Sequence, residues 1–160
     1  HQIAIDGQFP RIFGRVNKHG VPSFSMAFNV VASIAVVFLG GYASDMTGDK
    51  ATALAALTAA RGQGFLRLDY SGHGASGGAF ADGSVGRWML DALAVIDHAV
   101  PGRMVLVGSS MGGWISLLVA RRRPERMAGF VGVAAAPDFT ERLMWRSMDA
   151  AARAALRERA

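Results

Sequence analysis

Short apolar segments alternate with helical segments along most of this chain, and this alternation restricts the fold more than any other feature. The alternation begins at about Ile34, where β-branched residues are followed by two glycines and then by a helical segment. Strands separated by helices favour a parallel sheet with helices on both faces, which is an α/β fold. The predicted strands are 34–39, 65–69, 104–108 and 130–135, and the predicted helices are 50–61, 85–98, 111–122 and a segment from Thr140 onward.

The composition indicates a folded domain and argues against a nucleic-acid partner. Of the 160 residues, 51% are hydrophobic, 18% are charged and none is cysteine. The absence of cysteine excludes disulfides and fits a reducing, cytoplasmic location. The formal net charge is +5, but the one dense basic run, residues 121–126, follows a predicted helix, where cations are favoured by the helix dipole. Aromatic and basic residues are not interleaved as they are in proteins that stack bases.

Residues 108–112, Gly-Ser-Ser-Met-Gly, form a G-x-S-x-G motif between a predicted buried strand and a predicted apolar helix. A sharp turn of this kind strains the central serine and exposes its hydroxyl, which makes Ser110 the predicted nucleophile. The N–H of Met111 is predicted to donate to the oxyanion. A second donor is expected after the first strand, where Gly41 permits close approach and the Tyr42 N–H is available. The alternative is a pair of glycine turns without chemistry.

A serine hydrolase with this motif needs an acid and then a histidine after the nucleophile. Asp138 and Asp149 are the two aspartates that follow Ser110, and Asp138 is the candidate acid because it comes directly after the last predicted strand. All four histidines precede the nucleophile. We expect His98, late in a helix, and His73, in a glycine-rich loop, to be structural. No cluster of His, Asp or Glu has ligand spacing, so no metal and no cofactor are expected.

Three stretches resemble the α/β-hydrolase superfamily, and most of all its branch of acyl-glucuronide esterases and palmitoyl-protein thioesterases. They are FLGGYASDMTGDKA, RLDYSGHGASGG and VLVGSSMGGW, the last followed by RPER. The resemblance runs from about residue 34 to 145. It implies a serine esterase or thioesterase that acts on a small-molecule acyl ester or thioester through an acyl-serine intermediate.

The same resemblance implies roles for individual residues of this sequence. Gly41 and Tyr42 match the oxyanion loop, Ser110 matches the nucleophile and Met111 matches the second oxyanion donor. Asp69 and His73 match a structural loop. The family's acid and histidine lie on later strands, so the chain is expected to be a truncated α/β-hydrolase with impaired activity.

The beginning of the chain has a different character. The segment FGRVNKHGVPSFSMAFNVVASIAVVFLG resembles a loop and membrane helix of bacterial amino-acid permeases of the amino acid–polyamine–organocation group. Residues 24–42 approach the length of about 20 residues that spans a bilayer. We therefore expect a permease-like apolar segment at 1–33, a partial hydrolase domain at 34–160 and a chimeric origin. The segment is expected to replace the first antiparallel strands of the hydrolase fold.

Residues 36–39 fit both interpretations, because they would be either part of a membrane helix or a strand of the sheet. Two rival functions follow. One is a membrane-anchored transporter fragment that contacts lipid through residues 24–42. The other is a non-catalytic module on a hydrolase scaffold, because a fold does not fix a function.

Overall fold

One sheet organises the part of the chain that the computed structural model describes, residues 5–8 and 34–157. The four predicted strands and the first three predicted helices are present, with small shifts of their ends. The strands are β1 Ile5–Gln8, β2 Ala35–Leu39, β3 Phe65–Leu68, β4 Met104–Ser109 and β5 Met127–Val133; the α-helices are α1 Asp49–Ala60, α2 Val85–Ala99, α3 Met111–Arg122 and α4 Ala150–Arg157.

The strands lie in the order β1-β3-β2-β4-β5. Four of them, β3, β2, β4 and β5, run parallel, and β2 pairs with β4 from Ala35–Met104 to Leu39–Gly108. The predicted strands at 34–39 and 104–108 thus lie next to each other in the middle of the predicted parallel sheet. Since both strands end at the same edge, the loop after Leu39 lies beside the turn after Ser109.

Helices cover both faces of the sheet, as the α/β prediction requires. Alternate residues of a strand point to opposite faces, so β2 contributes to two separate apolar clusters. On one face α1 packs through Ala51 and Ala55 against Val36, Phe38, Phe65 and Val107. On the other face α2 and α3 pack against a larger cluster that includes Val37, Leu39, Leu66, Leu68, Met104 and Leu106.

Local signals in the sequence explain where α2 begins and where α1 ends. The side chain of Ser84 accepts a hydrogen bond from the Arg87 N–H at 3.2 Å and caps the start of α2. After α1 the chain reverses at Gly62, whose φ of 61° is the left-handed conformation that favours glycine. Gly62 therefore ends this helix.

The region from Thr140 onward differs from the single helix that was expected. Residues Thr140–Trp145 form a π-helical segment, and α4 is a separate helix that begins at Ala150. Asp149 Oδ1 accepts a hydrogen bond from the Ala152 N–H at 2.7 Å. The aspartate thus caps a new helix, which is why the Arg- and Ala-rich stretch is divided.

Two expectations about the beginning of the chain are wrong. Residues 5–8 pair antiparallel with β3, so the fold has an antiparallel strand within the segment that was expected to lack one. Residues 35–39 form a central strand, so 24–42 does not form a continuous membrane helix in this fold. None of the described helices is long and apolar enough to cross a membrane. Residues 24–33 lie outside the described part of the chain, and the domain boundary at residue 33 stays a prediction.

Candidate active site

Ser110 lies at the junction of β4 and α3 in a strained backbone conformation. Its φ of 53° and ψ of −119° fall where residues with side chains are rarely found, and the residue is exposed. Backbone hydrogen bonds hold it there: its N–H donates to the Val133 carbonyl at 3.0 Å, and its carbonyl accepts from Gly113 at 2.9 Å and Ala136 at 3.2 Å. Strain held by surrounding bonds at an exposed hydroxyl is typical of a nucleophile elbow.

The loop after β2 lies directly against this serine. A Cβ placed on Gly41 would stand 3.4 Å from Ser110 Cβ and 3.4 Å from the Ser109 carbonyl oxygen. Gly41, Tyr42, Ser109 and Ser110 line one open cleft of about 250 Å³. The loop in which a second oxyanion donor was expected therefore lies next to Ser110, and the oxyanion role of its Tyr42 N–H stays a prediction.

Close packing of a helix against the same loop brings these parts together. A Cβ on Gly112 would stand 2.0 Å from the Leu39 carbonyl oxygen and 2.4 Å from the Gly40 carbonyl oxygen. Only a residue without a side chain allows α3 to begin so near the end of β2. Met111 is the first residue of α3, and the first N–H groups of a helix have no acceptor in a preceding turn. The Met111 side chain is fully buried.

An aromatic cluster beneath the loop was missed by the sequence reasoning. The Tyr42 ring contacts Phe80 edge-to-face at 5.0 Å and Trp88 at 6.2 Å between ring centroids. Tyr70 is buried, and its hydroxyl donates to the Gly40 carbonyl at 3.3 Å. Burial, with a smaller contribution from the Asp91 carboxylate, raises the pKa of Tyr70 far above its ordinary value, so the hydroxyl keeps its proton. A buried tyrosine hydroxyl requires a hydrogen-bond partner, but the sequence does not show which residue supplies it.

The cleft also has charged groups, which come from the start of α1. Asp45, Asp49 and Lys50 line it beside the loop. The Thr47 hydroxyl, 2.5 Å from Asp45 Oδ1, together with the Thr47 N–H at 2.7 Å, lowers the pKa of Asp45. Within residues 5–8 and 34–157, no group of three or more His, Cys, Asp or Glu is placed to hold a metal ion.

His73 and Asp69 have structural surroundings. The His73 ring is buried between Trp88 at 4.9 Å and Phe80 at 5.0 Å between ring centroids. Asp69 accepts hydrogen bonds from the Met46 N–H at 2.7 Å and the Ala75 N–H at 2.9 Å. Asp69 therefore joins the loop after β3 to the loop after β2, and the His73 ring packs among the aromatic rings of the loop between β3 and α2.

The candidate acid, Asp138, is not among the residues that line the cleft. It is exposed with φ of 56°, and its backbone carbonyl accepts from the Arg142 N–H at 2.9 Å. Ala136, two residues earlier, donates to the Ser110 carbonyl. The acid role of Asp138 stays a prediction.

The basic run after α3 makes contacts within the protein. Arg123 Nη2 lies 2.5 Å from Asp97 Oδ2, and Arg126 Nη1 lies 2.9 Å from Asp97 Oδ1. Arg126 also donates to the carbonyls of Val100 and Gly102. These side chains join the end of α3 to the end of α2.

The comparisons with known proteins agree with this geometry. The Hydrolase_4 family model, described as serine aminopeptidase S33, matches residues 32–158. The chain belongs to this α/β-hydrolase family. A putative hydrolase from Agrobacterium vitis S4 superposes with a TM-score of 0.80 at 42% identity, covering 98% of this chain and 55% of that one.

Relatives of this hydrolase chain include named thioesterases. Palmitoyl-protein thioesterase ABHD10, mitochondrial, of Rattus norvegicus is 44% identical over 103 residues, covering 64% of this chain and 35% of the relative. The structure of mouse alpha/beta hydrolase domain-containing protein 10 superposes with a TM-score of 0.76 at 29% identity, covering 98% of this chain and 54% of that one. The chain thus spans about a third of the first curated relative and about half of these solved structures.

Proposed function

We propose that this hydrolase chain carries the nucleophile part of a serine esterase or thioesterase, and that Ser110 forms an acyl-serine intermediate. The observation that carries the proposal is the exposed, strained Ser110 beside Gly41 and Tyr42 in one cleft. The thioesterase relatives support a substrate with a carboxylic ester or thioester bond. The proposed substrate is a small-molecule acyl ester or thioester.

In the proposed reaction, Ser110 Oγ attacks the acyl carbon while a base removes the hydroxyl proton. The carbonyl oxygen becomes an oxyanion, which the N–H groups of Tyr42 and Met111 stabilise; removing one such donor in an intact enzyme costs about 10²–10³ in rate. Collapse expels the alcohol or thiol, which takes the proton. Water then attacks the acyl-serine, releasing the carboxylic acid and restoring the hydroxyl.

None of the residues named in this reaction is the base that takes the Ser110 proton. No histidine follows Ser110, and His73 is enclosed by aromatic rings. In this fold the acid and the histidine follow the nucleophile in chain order, and the relatives are nearly twice as long as this chain. We therefore propose that hydrolysis by the 160 residues alone is slow. Asp138 remains the proposed acid.

Of the rival functions, the transporter fragment loses support because residues 35–39 form a strand at the centre of the sheet. A non-catalytic module remains the second candidate, since the strained turn could persist without a base. The cytoplasmic location stays a prediction, and the name of the curated thioesterase places that relative in mitochondria.

The test is hydrolysis of a p-nitrophenyl ester by the chain, by Ser110→Ala and by Ser147→Ala. Ser147 is an exposed serine outside the cleft, so its variant controls for loss of a hydroxyl. We expect slow turnover, at most roughly the 10³–10⁴ over water that enzymes lacking a triad member retain, and a lower rate only in Ser110→Ala. Equal rates in all three proteins would favour the non-catalytic module. Rapid turnover that is lost in His73→Gln would make His73 the base.

A further inference from the structure

The loop that approaches Ser110 is held by hydrogen bonds to two successive carbonyl groups. The Gly40 carbonyl accepts from the Tyr70 hydroxyl at 3.3 Å. The Gly41 carbonyl accepts from the Ser44 hydroxyl at 2.8 Å and from the Ser44 N–H at 3.3 Å. Of these three bonds, the one from the Ser44 hydroxyl is the shortest. Nothing in the G-x-S-x-G motif requires a hydroxyl at this position.

The bonded carbonyl determines where the neighbouring N–H points. The Gly41 carbonyl and the Tyr42 N–H belong to one planar peptide unit, and none of the described peptide bonds is cis. In a trans peptide the C=O and the N–H point in opposite directions. A bond that fixes the Gly41 carbonyl against Ser44 therefore also fixes the direction of the Tyr42 N–H.

The rest of the loop is fixed on either side of this peptide. Tyr70 is buried and retains its proton, so it can hold the preceding peptide. The Tyr42 ring, on the following side, contacts Phe80 and Trp88. The Gly41–Tyr42 peptide itself can still rotate, because a glycine on one side of a peptide restricts such rotation only weakly. Ser44 is the side chain placed to prevent it.

We propose that Ser44 is a positioning residue, whose hydroxyl holds the Gly41–Tyr42 peptide with its N–H directed at the substrate oxygen beside Ser110. Ser44 also lines the cleft, but the 2.8 Å bond from its hydroxyl goes to the protein's own backbone. It acts on the reaction through the Tyr42 N–H. This inference rests on the proposed function, since it assigns the orientation of one proposed oxyanion donor.

The kinetic test compares Ser44→Ala, Ser44→Thr and the unchanged chain in Ser110-dependent hydrolysis of a p-nitrophenyl ester. Loss of an oxyanion donor costs about 10²–10³. Ser44→Ala removes the shorter of the two Ser44 bonds to the Gly41 carbonyl and keeps the one from the Ser44 N–H, so we expect a smaller loss, about 10-fold in kcat, while KM stays nearly constant. Threonine keeps the hydroxyl and should restore most of the rate. Ser147→Ala is the matched control, because Ser147 donates to the carbonyl three residues earlier, Met144, at 2.9 Å, outside the cleft. An unchanged kcat in Ser44→Ala, or no rescue by threonine, would overturn the proposal.

A structural test decides the inference even without measurable turnover. Crystal structures of the unchanged chain and of Ser44→Ala should show the Gly41 carbonyl rotated towards the cleft in the variant, with β2 and the Tyr70 bond unmoved. The same carbonyl direction in both would overturn the proposal, whatever the kinetics. By contrast, a chain without Ser110-dependent turnover, in which the carbonyl rotates as expected, would refute the proposed function and leave Ser44's hold on the peptide supported.

Discussion

The centre of the sheet and its β5 side are packed very differently. Leu39 and Leu106, on the central strands, are completely buried, whereas Val131 and Val133 on β5 are 50% and 39% exposed. Ser110 is bonded to both regions, because it follows the central strand β4 and donates to the Val133 carbonyl. The centre sets the distance between the nucleophile and the loop after β2. The β5 side contributes backbone bonds, while the side chains of Phe130, Val131 and Val133 remain exposed among the described residues.

The largest contrast is expected from shortening an apolar side chain in each region. Leu39→Ala should lower the free energy of unfolding by about 2–5 kcal/mol, because it leaves a cavity in a fully packed site. Val131→Ala should change it by less than about 1 kcal/mol, because half of that side chain is already in water. Urea denaturation followed by circular dichroism measures both. Similar losses would mean that β5 is covered in solution.

A smaller contrast is expected from adding one carbon to a glycine in each region. In Gly112→Ala the new Cβ meets the Leu39 and Gly40 carbonyls, and we expect a loss of about 1–3 kcal/mol from overpacking. Gly129→Ala on β5 is the matched control, since its Cβ would meet only Val105, at an ordinary 3.7 Å. Denaturation midpoints test this pair. Equal stability of the two variants would contradict the close approach of α3 to the loop.

The exposed side chains of β5 should affect association more than stability. Replacing Val131 and Val133 with threonine keeps the β-branched shape and makes the surface polar. We expect this variant to bind less of a fluorescent dye that recognises exposed apolar surface, and to scatter less light. Its free energy of unfolding should change by no more than about 0.5 kcal/mol. Unchanged dye binding would show that the dye does not bind at β5.

The smallest effect concerns the ion pairs between α2 and α3. Hydrogen bonding from Arg123 lowers the pKa of Asp97 from 3.8, with Arg123 and Arg126 charges adding to it. Because the folded-state pKa is lowered, the stabilisation is fully present above the unfolded-state pKa and is lost as pH falls through the folded-state pKa. Asp97→Asn should therefore lower stability slightly near neutral pH and not at about pH 2. The pair is exposed, so high salt should reduce the difference. If Asp97→Asn is still less stable than the unchanged chain at about pH 2, the loss comes from packing and not from the ion pair.

The sequence predicted the strands at the centre well, because β-branched runs bounded by glycines mark buried strands clearly. It predicted β5 less well, since Met127, Ala128 and Gly129 are weak strand formers that join the sheet through pairing with β4. It missed β1, whose four residues form a strand by pairing with the edge of β3. Such pairings depend on neighbours far away in the chain.

Within the candidate site, the G-x-S-x-G motif and the glycine loop were visible because each has a local pattern. The bond from Tyr70 to Gly40 was not, because it joins residues 30 positions apart. Ser44 was within reach of sequence reasoning, since a serine three residues after a loop carbonyl often bonds back to it. The role proposed for that bond depends on the position of Gly41 against Ser110, which the sequence does not show.

Covalent labelling tests the central claim most directly. A fluorophosphonate reacts with an activated serine, and mass spectrometry of the digested chain locates the adduct. We expect one adduct per chain, on Ser110 and not on the neighbouring buried Ser109, forming slowly because no histidine follows the nucleophile in these residues. It should disappear in Ser110→Ala and form more slowly in Ser44→Ala. An adduct spread over several serines, or none on Ser110 after prolonged exposure, would contradict the account.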